Sequence, residues 1–128
     1  MFTTENAFSG FAVRDMDEAL TFYRDVLGLS VESGEMGTAN LRLDSGATVL
    51  LYQKPDHEPA TYTMLNFPVA DIDAAVDDLV ARGVEMSRYE GFPQDEKGIM
   101  RGHGPDIAWF RDPSGNILAV LEADGPAQ

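Results

Sequence analysis

The sequence predicts an α+β protein of two βαβββ modules, forming a curled mixed sheet around a central cavity with the helices outside. Two observations carry this. The first is an internal repeat: residues 11–20 (FAVRDMDEAL) align with residues 67–76 (FPVADIDAAV), so that Phe11 matches Phe67, Val13 matches Val69, Asp15 matches Asp71 and Ala19 matches Ala75. Further on, Ser45-Gly46 before TVLLY matches Ser114-Gly115 before ILAVL. A repeat of this length signals a duplicated supersecondary unit. The second observation is the order within each half, a strand and a helix followed by short strands. One helix covers only one face of its sheet. Two such sheets can curl around a concave space lined by strand residues, a natural ligand site.

Each element has its own signal. Residues 8–14 alternate apolar with small or polar residues and read as a strand. Asp15 is a good N-cap, and Glu18 stands three residues on, as in a capping box. The stripe Ala19, Leu20, Tyr23, Val26 and Leu27 has helical spacing, and Gly28 is a natural stop. Strands are expected at 29–32, 39–43 and 48–53, with Asp44-Ser45-Gly46 turning between the last two. The second half repeats this with a strand at 63–69 and a helix capped by Asp71. That helix carries the stripe Ile72, Ala75, Val76, Leu79 and Val80 and ends at Arg82-Gly83. Strands are expected at 84–87, 107–111 and 117–122, with Asp112-Pro113-Ser114-Gly115 as a turn.

The organisation read from this is one domain over 1–128, with modules at 6–53 and 63–123 and a polar linker at 54–62 that holds Pro55 and Pro59. Apolar residues make up 44% and charged residues 24%, an ordinary globular composition. The net charge of -13 disfavours nucleic acid and anionic membrane as partners and attracts cations; it also serves solubility alone. No cysteine is present, which rules out disulfides and thiolate chemistry and suits a cytoplasmic location. Neither a signal peptide nor an apolar run of membrane-spanning length is read.

VRDMDEALTFYRDVLGL (13–29), VADIDAAVDDLVARGVE (69–85) and FRDPSGNILAVLE (110–122) together resemble the vicinal oxygen chelate superfamily of glyoxalases, bleomycin-resistance proteins and extradiol dioxygenases. The resemblance covers residues 6–123 and implies paired βαβββ modules, often as a homodimer. It further implies, in members that do chemistry, one divalent metal held by His, Gln or Glu on the first and last strand of each module. Those places hold Phe8 and Leu50 in the first module and Met64 and Ala119 in the second. Hard cations need carboxylate, imidazole or carbonyl donors. The expectation is therefore no metal and no cofactor, with the family's metal-dependent reactions absent.

Strand alternation adds Tyr52 to the face of Leu50 and Asn66 to that of Met64, with Gly10 and Thr48 alongside. Trp109 and Arg42 are further polar-tipped strand residues, either site groups or packing. Residues 87–105 form the extra segment of the second half; Tyr89, Phe92, Met100 and Arg101 are placed to close over the cavity, unless the segment is a surface hairpin or a dimer contact. His103, the candidate catalytic residue, faces the cavity as an acid or base, with Asp106 to orient it, or sits in a loop. His57, between Asp56 and Glu58, reads as a solvated loop residue rather than a metal ligand. The ligand-binding set is thus Phe8, Leu50, Tyr52, Met64, Asn66, Met100, Arg101, His103, Trp109 and Ala119.

Three functions follow from these residues. The first is a metal-free binding protein that holds an apolar, aromatic or cationic small molecule for sequestration. The second is an enzyme of the same superfamily, either metal-free and using His103, Tyr52 or Arg101, or with a relocated metal site. The third is a protein whose function is its association surface.

Overall fold

The repeated aspartates begin both helices of the computed structural model, which describes residues 1–123. Asp15 Oδ1 accepts from the Glu18 backbone N–H at 3.0 Å, and Asp71 Oδ1 accepts from that of Ala74 at 3.1 Å. Each bond satisfies one of the N–H groups that a helix start leaves without a partner. The reciprocal half of the expected capping box does not form, because Glu18 turns outward and pairs with Arg14 at 2.8 Å. The chain divides into two compact units, Met1–His57 and one beginning at Glu58.

The first unit runs β1 (Ser9–Val13), α1 (Met16–Leu20), a π-helical turn (Thr21–Val26), β2 (Ser30–Ser33), β3 (Thr38–Arg42) and β4 (Thr48–Gln53). Its sheet has the order β1-β4-β3-β2, with β1 parallel to β4 and the other pairs antiparallel. The sequence stripe implies a plain α-helix to Gly28, but the last part widens: Leu27 N–H donates to Phe22 O at 2.9 Å, an i→i−5 bond. The wider turn buries consecutive aromatics, Phe22 and Tyr23, which meet edge-on with centroids 5.1 Å apart. Gly28, at φ 78°, then ends the helix. Phe11, Val13, Ala39, Leu41, Val49 and Leu51 are buried, and Phe11 lies 6.3 Å from the Tyr23 ring, which marks the helix-covered face. Thr48, Leu50 and Tyr52 of β4 point the other way and stay partly or fully exposed.

The second unit runs β5 (Thr63–Val69), α2 (Ile72–Ala81), β6 (Ile107–Arg111) and β7 (Ile117–Glu122). Its sheet has the order β5-β7-β6, with β5 parallel and β6 antiparallel to β7. The strand expected at 84–87 is reduced to one bridge, Met86 to Phe110. Only Met86 and Ser87 reach the edge of β6 before the chain turns away, where the Arg88 guanidinium donates to the carbonyls of Asp95 and Glu96. Ile72, Val76 and Leu79 of α2 are buried, whereas Val80 of the expected stripe is 55% exposed and lines a surface cleft. Along β7 every residue from Ile117 to Val120 is buried, so both faces of this strand are covered.

The two matched turns differ in depth. At Asp44-Ser45-Gly46 the turn is exposed and closed by backbone bonds between Leu43 and Ala47 and between Gly46 and Leu43, each 2.9 Å. At Asp112-Pro113-Ser114-Gly115, Asp112 is only 4% exposed; its Oδ1 accepts from the Ser114 and Asn116 backbone N–H groups and its Oδ2 from Asn116 Nδ2, each at 2.9 Å. Asp112→Ala strands buried donors and should cost about 2–3 kcal/mol in urea unfolding. Ser45→Ala, at the exposed counterpart, should change stability by less than about 0.5 kcal/mol.

Candidate functional site

None of the four places that the resemblance assigns to metal ligands carries a carboxylate, an imidazole or an amide side chain. In the first unit Leu50 is flanked across the sheet by Gly10 and Asn40, while Phe8 precedes β1 and is 64% exposed. The nearest carboxylate on that row, Glu32, is bonded to Arg42 at 2.6 Å. In the second unit Ala119 lies between Asn66 and Trp109. Met64 falls in a register shift between Thr63 and Leu65 that breaks the alternation with Asn66; Thr63 is the residue opposite Ile117. Among the described residues no three His, Asp or Glu side chains converge to hold a metal. One Asn amide on each row, with apolar groups at the four places themselves, is a poor donor set for a divalent cation.

The second unit instead builds an aromatic cleft. Trp109, Ile117 and Ala119 form a buried cluster on the sheet face away from α2, and Tyr89, Met100 and Ile107 pack against it. The segment after Ser87 leaves and returns along the edge of β6. Ser87 N–H donates to Trp109 O at 2.8 Å, and Met100 and Ile107 exchange backbone bonds of 2.8 and 3.1 Å. Gln94 braces the segment from inside: its side chain accepts from Tyr89 N–H at 2.7 Å and donates to Ser87 O at 3.0 Å and Gly98 O at 2.8 Å. This places the Tyr89 and Phe92 rings 5.5 and 5.4 Å from the Trp109 ring. Tyr62, Thr63 and Ile117 complete a cavity of about 280 Å³. That is near the lower end of small-molecule pockets, enough for a two- or three-ring ligand. Its lining carries no charged side chain. The Tyr89 hydroxyl is buried and has no hydrogen-bond partner among the described residues. A larger cleft of about 580 Å³ lies along α2, but its wall mixes both signs of charge, including Asp77 and Lys97, which already pair with each other at 3.1 Å.

Within their own units the residues singled out from sequence take different places. Trp109 lines the cleft, Ala119 and Met100 belong to the cluster beneath it, and Asn66 is an exposed neighbour on the Ala119 row. Leu50 and Tyr52 lie on the open face of the first sheet. Arg101 lies outside the cleft lining and clasps the segment: its guanidinium reaches Asp73 at 2.9 Å, Asp95 at 3.1 Å and Asp106 at 3.2 Å. His103 is exposed, with Nδ1 3.0 Å from Arg101 O, and does not line the cleft. Tyr62 and Thr63 were not legible as site residues. Tyr62 falls in the predicted linker, where an aromatic between two threonines just before a strand was the available signal.

The Glyoxalase/Bleomycin resistance protein/Dioxygenase superfamily model matches residues 7–120. The chain is similar to the structure of a glyoxalase/bleomycin resistance protein from Catenulispora acidiphila, with 29% identity and a TM-score of 0.64 over 92% of this chain and 97% of that one. It is similar in fold to FosX, a fosfomycin resistance protein from Listeria monocytogenes, with 15% identity and a TM-score of 0.71 over 98% and 97% of the two chains. TnmS3, an antibiotic binding protein from Streptomyces, matches with 19% identity and a TM-score of 0.66 over 96% of this chain and all 100% of its own. No described helix is long and apolar enough to cross a membrane.

The clasp contains a titratable group. Burial pushes the Asp95 carboxyl up, but the backbone N–H groups of Ile99 and Lys97 and the Arg101 guanidinium together outweigh it and hold the carboxyl below its usual range. A depressed carboxyl contributes stability that is present above its unfolded value, about 3.9, and is lost as pH falls through the lower folded value. Asp95→Asn should therefore lower Tm at pH 7 by about 2–5 °C. The gap from wild type should close below about pH 4 in thermal unfolding followed by circular dichroism.

Proposed function

The chain belongs to the Glyoxalase/Bleomycin resistance protein/Dioxygenase superfamily, and from that premise we propose that it is a small-molecule-binding protein that holds an apolar, aromatic ligand in the cleft of its second module. The observation that carries this reading is the lining. Tyr62, Tyr89, Phe92 and Trp109 surround a cavity that presents no carboxylate or imidazole for proton transfer. Rings at these separations offer faces and edges for stacking and exclude water from an apolar guest. The apolar residues at the implied ligand places support binding without a metal. FosX is a fosfomycin resistance protein and TnmS3 an antibiotic binding protein; the reading extends the binding of a small organic molecule, as described for TnmS3, to the present chain. A homodimer, as the resemblance implies, is part of the same proposal. At the cleft the enzyme alternative has no carboxylate or imidazole, since His103 lies outside its lining, and only the phenols of Tyr62 and Tyr89 to move a proton.

Isothermal titration calorimetry with 2-acetylnaphthalene, a neutral two-ring probe, tests this. We expect saturable heat at one site per chain and about ten-fold weaker binding in Phe92→Ala, the size of one lost aromatic contact. No heat with the wild-type protein overturns the reading. Weakening by Tyr52→Ala in place of Phe92→Ala would move the site to the open face of the first sheet.

A further inference from the structure

In a chain with 22 acidic and 9 basic residues, every Lys and Arg has acidic groups in excess to choose from. Seven of the nine form side-chain ion pairs: Arg14, Arg24, Arg42, Lys54, Arg82, Lys97 and Arg101. Arg88 donates instead to two backbone carbonyls. Arg111 is the exception, with no partner among the described residues. Its place is specific. Arg111 pairs across β6 and β7 with Ile117, and Ile117 pairs with Thr63 across β7 and β5. The three side chains therefore share a row and a sheet face, and both of the others line the aromatic cleft. Trp109 lies on the same face, two residues before Arg111 on β6. Arg111 is exposed and not itself part of the lining; the row sets it beside the cleft, next to the lining residue Ile117.

We propose that Arg111 receives an anionic group of the ligand, so that the cleft takes a planar aromatic carboxylate whose rings lie among Tyr89, Phe92 and Trp109. The inference rests on the reading of the cleft as a ligand site and adds the charge of the ligand. The net charge of -13 opposes an approaching anion, but salt screens that field within about 10 Å at 0.1 M. At contact the fork of the guanidinium, which matches a carboxylate, decides the sign. Because the pair is exposed, the gain is modest, about three- to five-fold in Kd.

Three matched probes separate the possibilities by calorimetry: 2-naphthoate, neutral 2-acetylnaphthalene and the cation 2-naphthylmethylammonium. The wild-type protein should bind naphthoate about three- to five-fold more tightly than the neutral probe and the ammonium least. Arg111→Gln should erase the naphthoate advantage and leave the neutral probe unchanged, while Arg111→Lys keeps part of it. Because Arg111 is exposed and without a partner, both variants should keep the wild-type Tm, which is measured alongside. Tightest binding of the ammonium, or a naphthoate advantage that survives Arg111→Gln, overturns the assignment of Arg111 and leaves the aromatic site standing. Absence of heat with all three overturns both.

Discussion

Each unit supplies one helical segment to a sheet with two faces, and this shortage governs what the rest of the structure does. In the first module the helix and its π-turn cover Phe11, Leu41 and Leu51, while the face of Leu50 and Tyr52 stays open. In the second module the uncovered face is too apolar to be left in water, since it carries Trp109, Ile117 and Ala119. The long segment after Ser87 folds over it and provides the missing layer. A connection that elsewhere would be a short turn has become cover, and the imperfect fit between cover and sheet is the cleft.

Two kinds of force hold that cover, and their sizes differ. Fully burying a large apolar side chain is worth about 1.5–3 kcal/mol; Ile99, at 0% exposed, contributes one such term, and the partly buried Tyr89 and Met100 contribute a share each. Exposed ion pairs are worth about 0–1 kcal/mol each. The contacts of Arg101 and Lys97 with Asp73, Asp77, Asp95 and Asp106 therefore contribute less to adhesion than to register. They fix which residues of the segment meet α2, and hence where Tyr89 and Phe92 are set against Trp109. The acidic composition helps here, because each cation finds several carboxylates in reach.

Much of the fold was legible because its determinants are local. Asp15 and Asp71 cap where a side-chain oxygen before an apolar stripe should cap, and the run from Ile117 to Glu122 forms the strand that its residues announced. What escaped depends on distant partners. The π-turn comes from seating Phe22 and Tyr23 together against a sheet, and the fourth strand of the second module gave way because the chain is drawn off toward Asp95 and Glu96. Arg101 looked like a cavity residue from its position in the segment, yet it reaches Asp73, 28 residues away, a contact that no local pattern encodes. The register shift at Thr63 and Leu65 carries no glycine to announce it, so the face of Met64 was not readable by alternation.

The cleft also carries its own indicator. Trp109 is the only tryptophan in the chain, and it stands in the floor of the cleft, 9% exposed, with the Tyr89 ring edge-on at 84°. Indole emission responds to the polarity and motion of its surroundings, so the colour and intensity of this protein's tryptophan fluorescence belong to a single address. Lifting of the covering segment, entry of a guest and wetting of the floor all pass through that one chromophore. The molecule therefore comes labelled at the cleft proposed to hold its ligand, with no dye or engineered residue to disturb it.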